Sequence, residues 1–407
     1  MLPFASSFTT LLLALSIAAT PLEVRNSPIT LPIARSLNVS GGTINLLQHD
    51  QARAAAFRGR PASGIRRQSD NTSAINMGLS YTVKVGVGSP VTTYNLMVDT
   101  GSSNTWVGSG TAYVKTSTSY DTGEPVAVGY GSGSFEGTEY TDTITIGTGL
   151  TITQQSIGVA NTSSGFTGVD GIVGIGPVDL TEGTLTKEES TTIPTVTENL
   201  YTQGLISEIV VGISFEPTNA EAITNGELTF GGTDATKYTG TIAYTPLTTT
   251  PLASTFWGIS ESITYGSTII MSEITGIVDT ATTFTLIPSY AYVAYKSATS
   301  STLDQPTGLL RITTAQYHAM YDLNFNIGSN TYALTPNGQI WPRSLNTYIG
   351  GSSRSIYLVV NDIGSPGAAG PDFINGYTFL ERFYSVFDTT HSRVGFATTL
   401  YTNATTN

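Results

Sequence analysis

Beyond residue 78, the chain alternates short apolar or β-branched runs with breaks rich in glycine and serine. The stretch from Leu79 to Pro90 (LSYTVKVGVGSP) places an aromatic or valine side chain at every second position before it stops at Ser-Pro. Such alternation predicts strands with one buried face, and the breaks predict turns. Helical periodicity is scarce and favours only two short helices, at Thr195–Gly204 and Pro288–Ser297. The pattern therefore predicts an all-β protein.

Two of the predicted strands end in the same way, one in each half of the chain. The first reads VDTGSSNTWVG at Val98–Gly108, and the second reads GIVDTATT at Gly276–Thr283. Either motif alone is typical of an ordinary solvated turn, in which an aspartate stands among small hydrogen-bonding residues. Their repetition points further, because two carboxylates brought together share one proton and can serve as acid and base. Asp99 and Asp279 are therefore candidate catalytic residues.

A second feature also occurs once in each half. The runs VDGIVGIG at Val169–Gly176 and FINGYTFL at Phe373–Leu380 are both apolar and both broken by glycine. Glycine inside a buried strand is expected where another backbone approaches closely. We expect each run to pack against the aspartate turn of its own half, so that the two halves are built alike.

Taken together and in this order, the motifs resemble the pepsin-type (A1) family of aspartic endopeptidases, of the kind that fungi secrete. The resemblance runs from about Leu79 to Ala397 and includes VGYGSGSFEG at Val128–Gly137 and INGYTFLERFYSVFDTTHSRVGFA near the end. It implies a bilobal pepsin-like fold whose lobes are related by a pseudo-two-fold axis around a central active-site cleft. We place the N-terminal lobe at 68–210 and the C-terminal lobe at 211–407, with the pepsin-type unit at about 79–397.

The resemblance also implies the chemistry. One ionised aspartate of the pair takes a proton from a bound water, which attacks a peptide carbonyl, while the protonated partner donates to the carbonyl oxygen. Neither a metal nor a cofactor is expected. The expected roles are catalysis by Asp99 and Asp279, support of their carboxylates by the Ser102 and Thr282 hydroxyls and by the backbone amides of Gly101 and Ala281, and cross-linking of the two turns by Thr100 and Thr280.

A hairpin that closes over the substrate is implied at Tyr130, Gly131 and Ser132. Glycines on both sides of Ser132 are what a mobile lid requires, and closure of such a lid excludes water. An ordinary hairpin tyrosine is the alternative for Tyr130. Trp106 resembles the tryptophan that steadies the hairpin tyrosine in the family.

Ala281 departs from the family pattern, which has glycine in both turns. Its extra methyl group is expected to crowd the carboxylates, or to add strain if the backbone φ angle is positive. The alternative function is therefore a weakened or inactive protease fold that binds peptides or proteins. A glycosidase with two carboxylates is a second alternative. Serine-protease or zinc chemistry is remote, because only His318 and His391 follow the leader and the sequence has neither HExxH nor cysteine.

Charge divides the chain into a basic leader and an acidic body. The first 67 residues hold seven arginines, no lysine and two acids, whereas the whole chain has 17 basic and 29 acidic residues. A signal peptide is expected at 1–19, where LLLALSIAA forms a short apolar run, and a basic propeptide at 20–67, with Arg66-Arg67 as a processing point. We expect this propeptide to be a partner of the acidic body, held by charge.

Other classes of partner are disfavoured. An acidic chain poor in lysine and arginine is not expected to bind nucleic acid, and no other run is long enough to span a bilayer. The absence of cysteine rules out disulfides. We expect a secreted monomer that acts on polypeptides, with N-glycan acceptors at Asn38, Asn71, Asn161 and Asn403.

Overall fold

The computed structural model describes residues 27–37, 42–58, 79–147, 150–364 and 370–407. The expected signal peptide, the dibasic Arg66-Arg67 and the acceptors Asn38 and Asn71 lie outside these residues. No helix in the described part of the chain is long and apolar enough to cross a membrane.

Strands dominate the described residues, as the alternating pattern predicted, and they form sheets of 13, seven and three strands. The strands are β1 Ile29–Leu37, β2 Leu79–Val87, β3 Thr92–Asp99, β4 Thr105–Val107, β5 Tyr120–Gly129, β6 Ser134–Ile146, β7 Leu150–Ser164, β8 Gly171–Gly174, β9 Val210–Ser214, β10 Ala222–Phe230, β11 Thr239–Pro246, β12 Gly258–Tyr265, β13 Thr268–Val278, β14 Thr285–Ile287, β15 Thr302–Leu303, β16 Leu310–Ile312, β17 Leu323–Ile327, β18 Asn330–Leu334, β19 Ile356–Tyr357, β20 Val360–Asp362, β21 Ile374–Asn375, β22 Phe383–Asp388 and β23 Arg393–Thr398.

Helices in the described residues are short. They are α1 Leu46–Arg58, α2 Val196–Thr202, α3 Ser289–Ala298, α4 Thr314–His318 and α5 Tyr377–Leu380, with 3-10 turns at Val178–Thr181, Ala253–Thr255 and Arg343–Ile349. The two predicted helices are confirmed as α2 and α3. Thr195 begins α2 through a capping box with Glu198, and Pro288 precedes α3.

Helix α1 lies in the leader and was not predicted. Its start is fixed by Asn45, whose side-chain Oδ1 accepts the backbone N–H of Gln48 at 2.9 Å. An alanine-rich centre favours the helix from there on. The buried positions include Leu46, Arg53 and Phe57, so that an arginine shares the inward face with apolar side chains.

The leader also contributes a strand to the large sheet. Strand β1 lies between β10 and β2 in the order β11-β23-β22-β9-β10-β1-β2-β3-β8-β4-β7-β6-β5. It is antiparallel to both neighbours, pairing Ile29 with Phe230 and Leu37 with Leu79. The leader is therefore built into the sheet that joins the two halves of the chain.

The two aspartate strands are supported in the same way. Strand β3 runs parallel to β8, and β13 runs parallel to β21. A side chain at Gly174 would come within 2.5 Å of the Ser103 backbone, and one at Gly376 within 2.3 Å of the Phe284 carbonyl oxygen. The expectation that these glycines mark a close backbone approach is confirmed in both halves.

Candidate active site

Asp99 is the last residue of β3, Asp279 directly follows β13, and both are fully buried. The hydroxyl of Ser102 donates to Asp99 Oδ2 at 2.5 Å, and that of Thr282 donates to Asp279 Oδ2 at 2.5 Å. Each carboxylate thus receives the same hydroxyl contact from the third residue after it. The matching geometry follows from the matching sequence of the two turns.

The two turns are locked together by their threonines. Thr100 N donates to Thr280 Oγ1 at 3.1 Å, and Thr280 N donates to Thr100 Oγ1 at 2.9 Å. The hydroxyls in turn donate across the seam, from Thr100 to the Val278 carbonyl at 3.3 Å and from Thr280 to the Val98 carbonyl at 3.1 Å. Because all four bonds are buried, they hold the two aspartates at a fixed separation.

Arg53 of α1 binds both carboxylates, and sequence reasoning missed this contact. Its Nη2 donates to Asp99 Oδ1 at 2.5 Å and to Asp279 Oδ1 at 3.0 Å, and its Nε donates to Asp279 Oδ2 at 2.7 Å. The guanidinium is buried and also lies 4.9 Å from the centre of the Phe57 ring. The available signal was one arginine on the inward face of an alanine-rich segment in the leader.

The pKa values of the two aspartates are shifted in opposite directions, and Arg53 contributes to this difference. Burial raises the pKa of Asp99, the positive charge of Arg53 opposes this, and the negative charge of Asp279 adds to the rise, so that the pKa lies above its usual value. Burial also acts to raise the pKa of Asp279, but the charge and hydrogen bonds of Arg53, together with the hydrogen bonds from Thr282 and Ala281, outweigh it and leave the pKa below its usual value. With the leader in place, Asp279 is the ionised partner and Asp99 holds a proton more readily.

The predicted lid residues form the tip of the β5–β6 hairpin. Tyr130 N donates to the Gly133 carbonyl at 2.8 Å, and Gly131 has a φ angle of +80°, which favours glycine. A side chain at Gly131 would meet the Ala52 carbonyl oxygen of α1 at 2.4 Å. Tyr130 and Ser132 are both buried. Helix α1 therefore lies directly against the hairpin.

Trp106 and Tyr130 belong to one apolar cluster beneath the hairpin. Trp106 stacks on Phe135 with ring centres 4.4 Å apart, and it meets Phe166 edge-on at 4.9 Å. Tyr130 meets the same Phe166 ring edge-on at 5.2 Å. Phe166 therefore contacts both rings, and sequence reasoning did not single it out.

Ala281 does not adopt the strained backbone that a positive φ angle would impose. Its amide donates to Asp279 Oδ1 at 3.3 Å, whereas the equivalent Gly101 amide donates to Asp99 Oδ1 at 2.8 Å. The methyl group of Ala281 is buried in the cluster that contains Trp106. A methyl group at Gly101 would instead lie 2.5 Å from Arg53 Nη2. Alanine thus fits the second turn without backbone strain.

A family model described as eukaryotic aspartyl protease matches residues 80–399. The chain belongs to this family of aspartic-type endopeptidases. It is similar to polyporopepsin of Irpex lacteus, with 62% identity over 335 residues that cover 82% of this chain and 98% of that protein. Cathepsin E of Oryctolagus cuniculus is 29% identical over 354 residues, which cover 81% of this chain and 83% of that protein.

A solved structure supports the same conclusion. The crystal structure of the aspartic proteinase from Irpex lacteus matches with a TM-score of 0.81 and 54% identity, and the match covers 94% of this chain and 100% of that one. The predictions of an all-β pepsin-like fold and of an aspartic endopeptidase are confirmed. The comparisons give no support to an inactive binding module.

Proposed function

We propose that Asp99 and Asp279 are the catalytic pair of a secreted acid endopeptidase, and that the leader holds this pair inactive in a zymogen. The observation that carries the proposal is the contact of one leader arginine, Arg53, with both carboxylates. Polypeptides are the substrates, and the protein acts as a monomer.

In the activated enzyme, the space taken by the guanidinium is available to a water molecule between the two carboxyls. One proton is shared by the pair, because two adjacent buried carboxylates cannot both ionise cheaply. The ionised aspartate takes a proton from the water, whose oxygen attacks the peptide carbonyl carbon. The protonated aspartate donates to the carbonyl oxygen, and a proton then passes to the leaving nitrogen.

The surrounding hydrogen bonds serve this chemistry by fixing the carboxyl planes. Ser102 and Thr282 each donate to Oδ2 of one aspartate, and the Gly101 and Ala281 amides donate to the opposite oxygen, Oδ1. Each carboxyl plane is thus held from both sides, and the second lone pair of each Oδ1 can accept from the water. The threonine cross-link sets the distance between the two acids. Errors of even 1 Å in such positions cost about two orders of magnitude in rate.

Inhibition by the leader rests on several buried contacts besides Arg53. Asp50 Oδ2 accepts the backbone N–H of Phe284 at 2.8 Å, immediately after the second aspartate turn. In β1, Arg35 donates to the Ala220 carbonyl at 2.7 Å and to the Tyr377 hydroxyl at 3.2 Å. Helix α1 thus occupies the space between the aspartates and the hairpin, and β1 anchors the leader in the sheet.

The leader is proposed to be removed after secretion, and Arg66-Arg67 is the processing point suggested by the sequence. The proposed limits are 1–19 for the signal peptide, 20–67 for the propeptide, 68–210 for the N-terminal lobe and 211–407 for the C-terminal lobe. Asn161 and Asn403 are both exposed, so a glycan could be attached to either side chain.

The zymogen proposal is tested by comparing the full chain with the same protein after cleavage of its leader. Hydrolysis of a denatured protein is measured for both at about pH 4, where the pair holds one proton. The proposal expects activity only after the leader has been cleaved and separated. Equal initial rates in the two preparations, before any cleavage of the full chain, would overturn it.

A further inference from the structure

Glu261 is a buried carboxyl that the reaction described above does not use. It lies on β12 and has no exposed surface. Its one hydrogen bond in the described residues is from Asn375, whose Nδ2 donates to Glu261 Oε2 at 2.7 Å. No described lysine, arginine or histidine forms an ion pair with it. A carboxylate in this place would be an unpaired buried charge, which proteins avoid.

The other side-chain oxygens of Glu261 and Asn375 lack a hydrogen-bond donor among the described residues. Glu261 Oε1 and Asn375 Oδ1 are both buried, and neither has a hydrogen-bond partner. Each is an acceptor in its usual form, so that two buried acceptors lack one donor. A proton on Glu261 Oε1 supplies that donor. A protonated carboxyl and a primary amide are able to pair through a ring of two hydrogen bonds.

Burial favours this protonated form. It raises the pKa of Glu261 to about 8, and the hydrogen bond from Asn375 lowers it only in part. The neighbouring strands add no buried charge: Glu273, the titratable residue of β13, is exposed, and neither β17 nor β21 has a titratable residue. The pair is therefore neutral throughout the acid range.

Asn375 connects this pair to the catalytic site. It is the last residue of β21, and its carbonyl oxygen accepts the backbone N–H of Asp279 at 3.1 Å. Strand β21 has only two residues and pairs Asn375 with Val278. A side chain that fixes Asn375 therefore also fixes the peptide from which the Asp279 carboxyl extends.

The N-terminal half has no equivalent polar pair at this position. There, Val98 precedes the aspartate, and its partner on β8 is Val173. The shared architecture of the two halves thus accepts an aliphatic residue where the C-terminal half has Asn375. The polar pair is a local addition beside the turn that also carries Ala281.

We propose that the protonated Glu261 carboxyl and the Asn375 amide form a cyclic pair that positions Asp279. This inference rests on the proposed catalytic role of Asp279. Glu261 touches neither substrate nor the reacting atoms, and it acts through the Asn375 backbone. It is thus a positioning residue of the C-terminal half.

The test uses the activated enzyme and compares Glu261→Gln, Glu261→Val and Asn375→Ser, with Glu273→Gln as the exposed control. Glutamine replaces the acid with a neutral group that makes the same two hydrogen bonds, so we expect kcat within about twofold of the natural enzyme. Valine removes both bonds, and we expect kcat to fall about tenfold with KM nearly unchanged and the acidic limb of the pH–rate profile displaced. Asn375→Ser is expected to behave like Glu261→Val.

Each outcome decides the proposal. If Glu261→Val and Asn375→Ser keep the natural kcat and pH–rate limbs, the positioning role is wrong. If Glu261→Gln loses as much kcat as Glu261→Val, the cyclic pair is wrong. If Glu261→Val does not fold, Asn375→Ser and Glu261→Gln are compared instead: a loss of kcat in Asn375→Ser alone supports the proposal, and equal kcat values in the two variants overturn it. Activity that persists in Asp279→Asn would instead overturn the proposed function, whatever the Glu261 variants do.

Discussion

Arg53 and Asp279 are joined by two hydrogen bonds, from Nε to Oδ2 at 2.7 Å and from Nη2 to Oδ1 at 3.0 Å. This forked arrangement matches the planar guanidinium to the planar carboxylate and is among the stronger contacts that side chains make. The same Nη2 also reaches Asp99 at 2.5 Å. A single side chain of the leader thus binds both carboxyls of the proposed catalytic pair.

Replacement of Arg53 by glutamine is expected to release the leader more readily. Loss of the guanidinium leaves two buried carboxyls without a cation. Removal of one partner of a buried ion pair typically lowers stability by about 3–5 kcal/mol. We expect conversion of the full chain to the active form to begin at a higher pH and to be at least about tenfold faster. The measurement is the rate at which the precursor band disappears.

Arg58→Gln is the matched control for that experiment. Arg58 lies on the same helix; within the described residues, its Nη1 donates to the Ile363 carbonyl at 3.4 Å and it forms no ion pair with Asp99 or Asp279. We expect its conversion rate to stay close to that of the natural chain. If Arg53→Gln and Arg58→Gln convert at the same rate, Arg53 does not hold the precursor inactive.

Conversion of the natural precursor is expected to depend on acid. The pKa of Asp279 is lowered by Arg53, so this contact stabilises the leader-bound fold above the usual aspartate pKa and is lost as pH falls through the lowered value. The contribution of Asp99 to stability changes with pH in the opposite direction: because its pKa is raised, Asp99 stabilises the folded precursor in acid, and this contribution is lost as pH rises. We expect the precursor to persist at about pH 7 and to convert below about pH 4. Faster conversion at neutral pH would contradict this account.

Glu139→Gln is expected to stabilise the protein at neutral pH and not in acid. Burial raises the pKa of Glu139 to about 7, although the Ser156 hydroxyl donates to it at 2.5 Å. A carboxyl with a raised pKa favours the fold below its unfolded pKa, and this contribution is lost as pH rises towards the folded value. Glutamine does not ionise, so this loss of stability does not occur in the variant. We expect its free energy of unfolding to exceed that of the natural protein by roughly 3 kcal/mol at about pH 7.5.

Unfolding of Glu139→Gln in denaturant at about pH 4 and pH 7.5 checks that prediction. Glu136→Gln serves as the control, because Glu136 is exposed on the same strand, β6. A gain of equal size at both pH values, or an equal gain in the control, would show that ionisation of Glu139 is not the cause.

Ala281→Gly tests whether the family's usual glycine would improve this site. Alanine is accommodated here without a positive φ angle, and its methyl group packs in the Trp106 cluster. We therefore expect kcat to change by less than about threefold, with a loss of stability of about 0.4–1 kcal/mol from the greater freedom of the unfolded chain. Paired measurements of kcat and of unfolding suffice. A large rise in kcat would show that the methyl group displaces Asp279.

Local sequence was enough to predict the two aspartate turns and the helices α2 and α3. Each depends on residues close together in the chain: an apolar run that ends in Asp-Thr, or a threonine that begins a helix. The glycine-broken strands could also be predicted, because glycine is required wherever two backbones nearly touch. Repetition in both halves made these signals specific.

The place of Arg53 could not be predicted in this way. Its contact with two carboxylates far away in the sequence depends on how the leader packs against the rest of the fold. The spacing of apolar and polar residues along the chain does not determine that packing. Glu261 did leave a trace in the sequence, since it alternates with Ile259 and Ile263 on the buried face of β12. An acid at such a position indicates a buried carboxyl, but its partner Asn375 is brought to it only by the fold.

The most direct test of the catalytic pair is the pH–rate profile of the activated enzyme on a denatured protein, measured beside Asp99→Asn and Asp279→Asn. An amide supplies neither the acid nor the base, so we expect both variants to fold and to be inactive. The natural enzyme is expected to show a single maximum between about pH 2.5 and 5, where the pair holds one proton. A maximum at about pH 7 or above, or natural activity in either variant, would contradict the account.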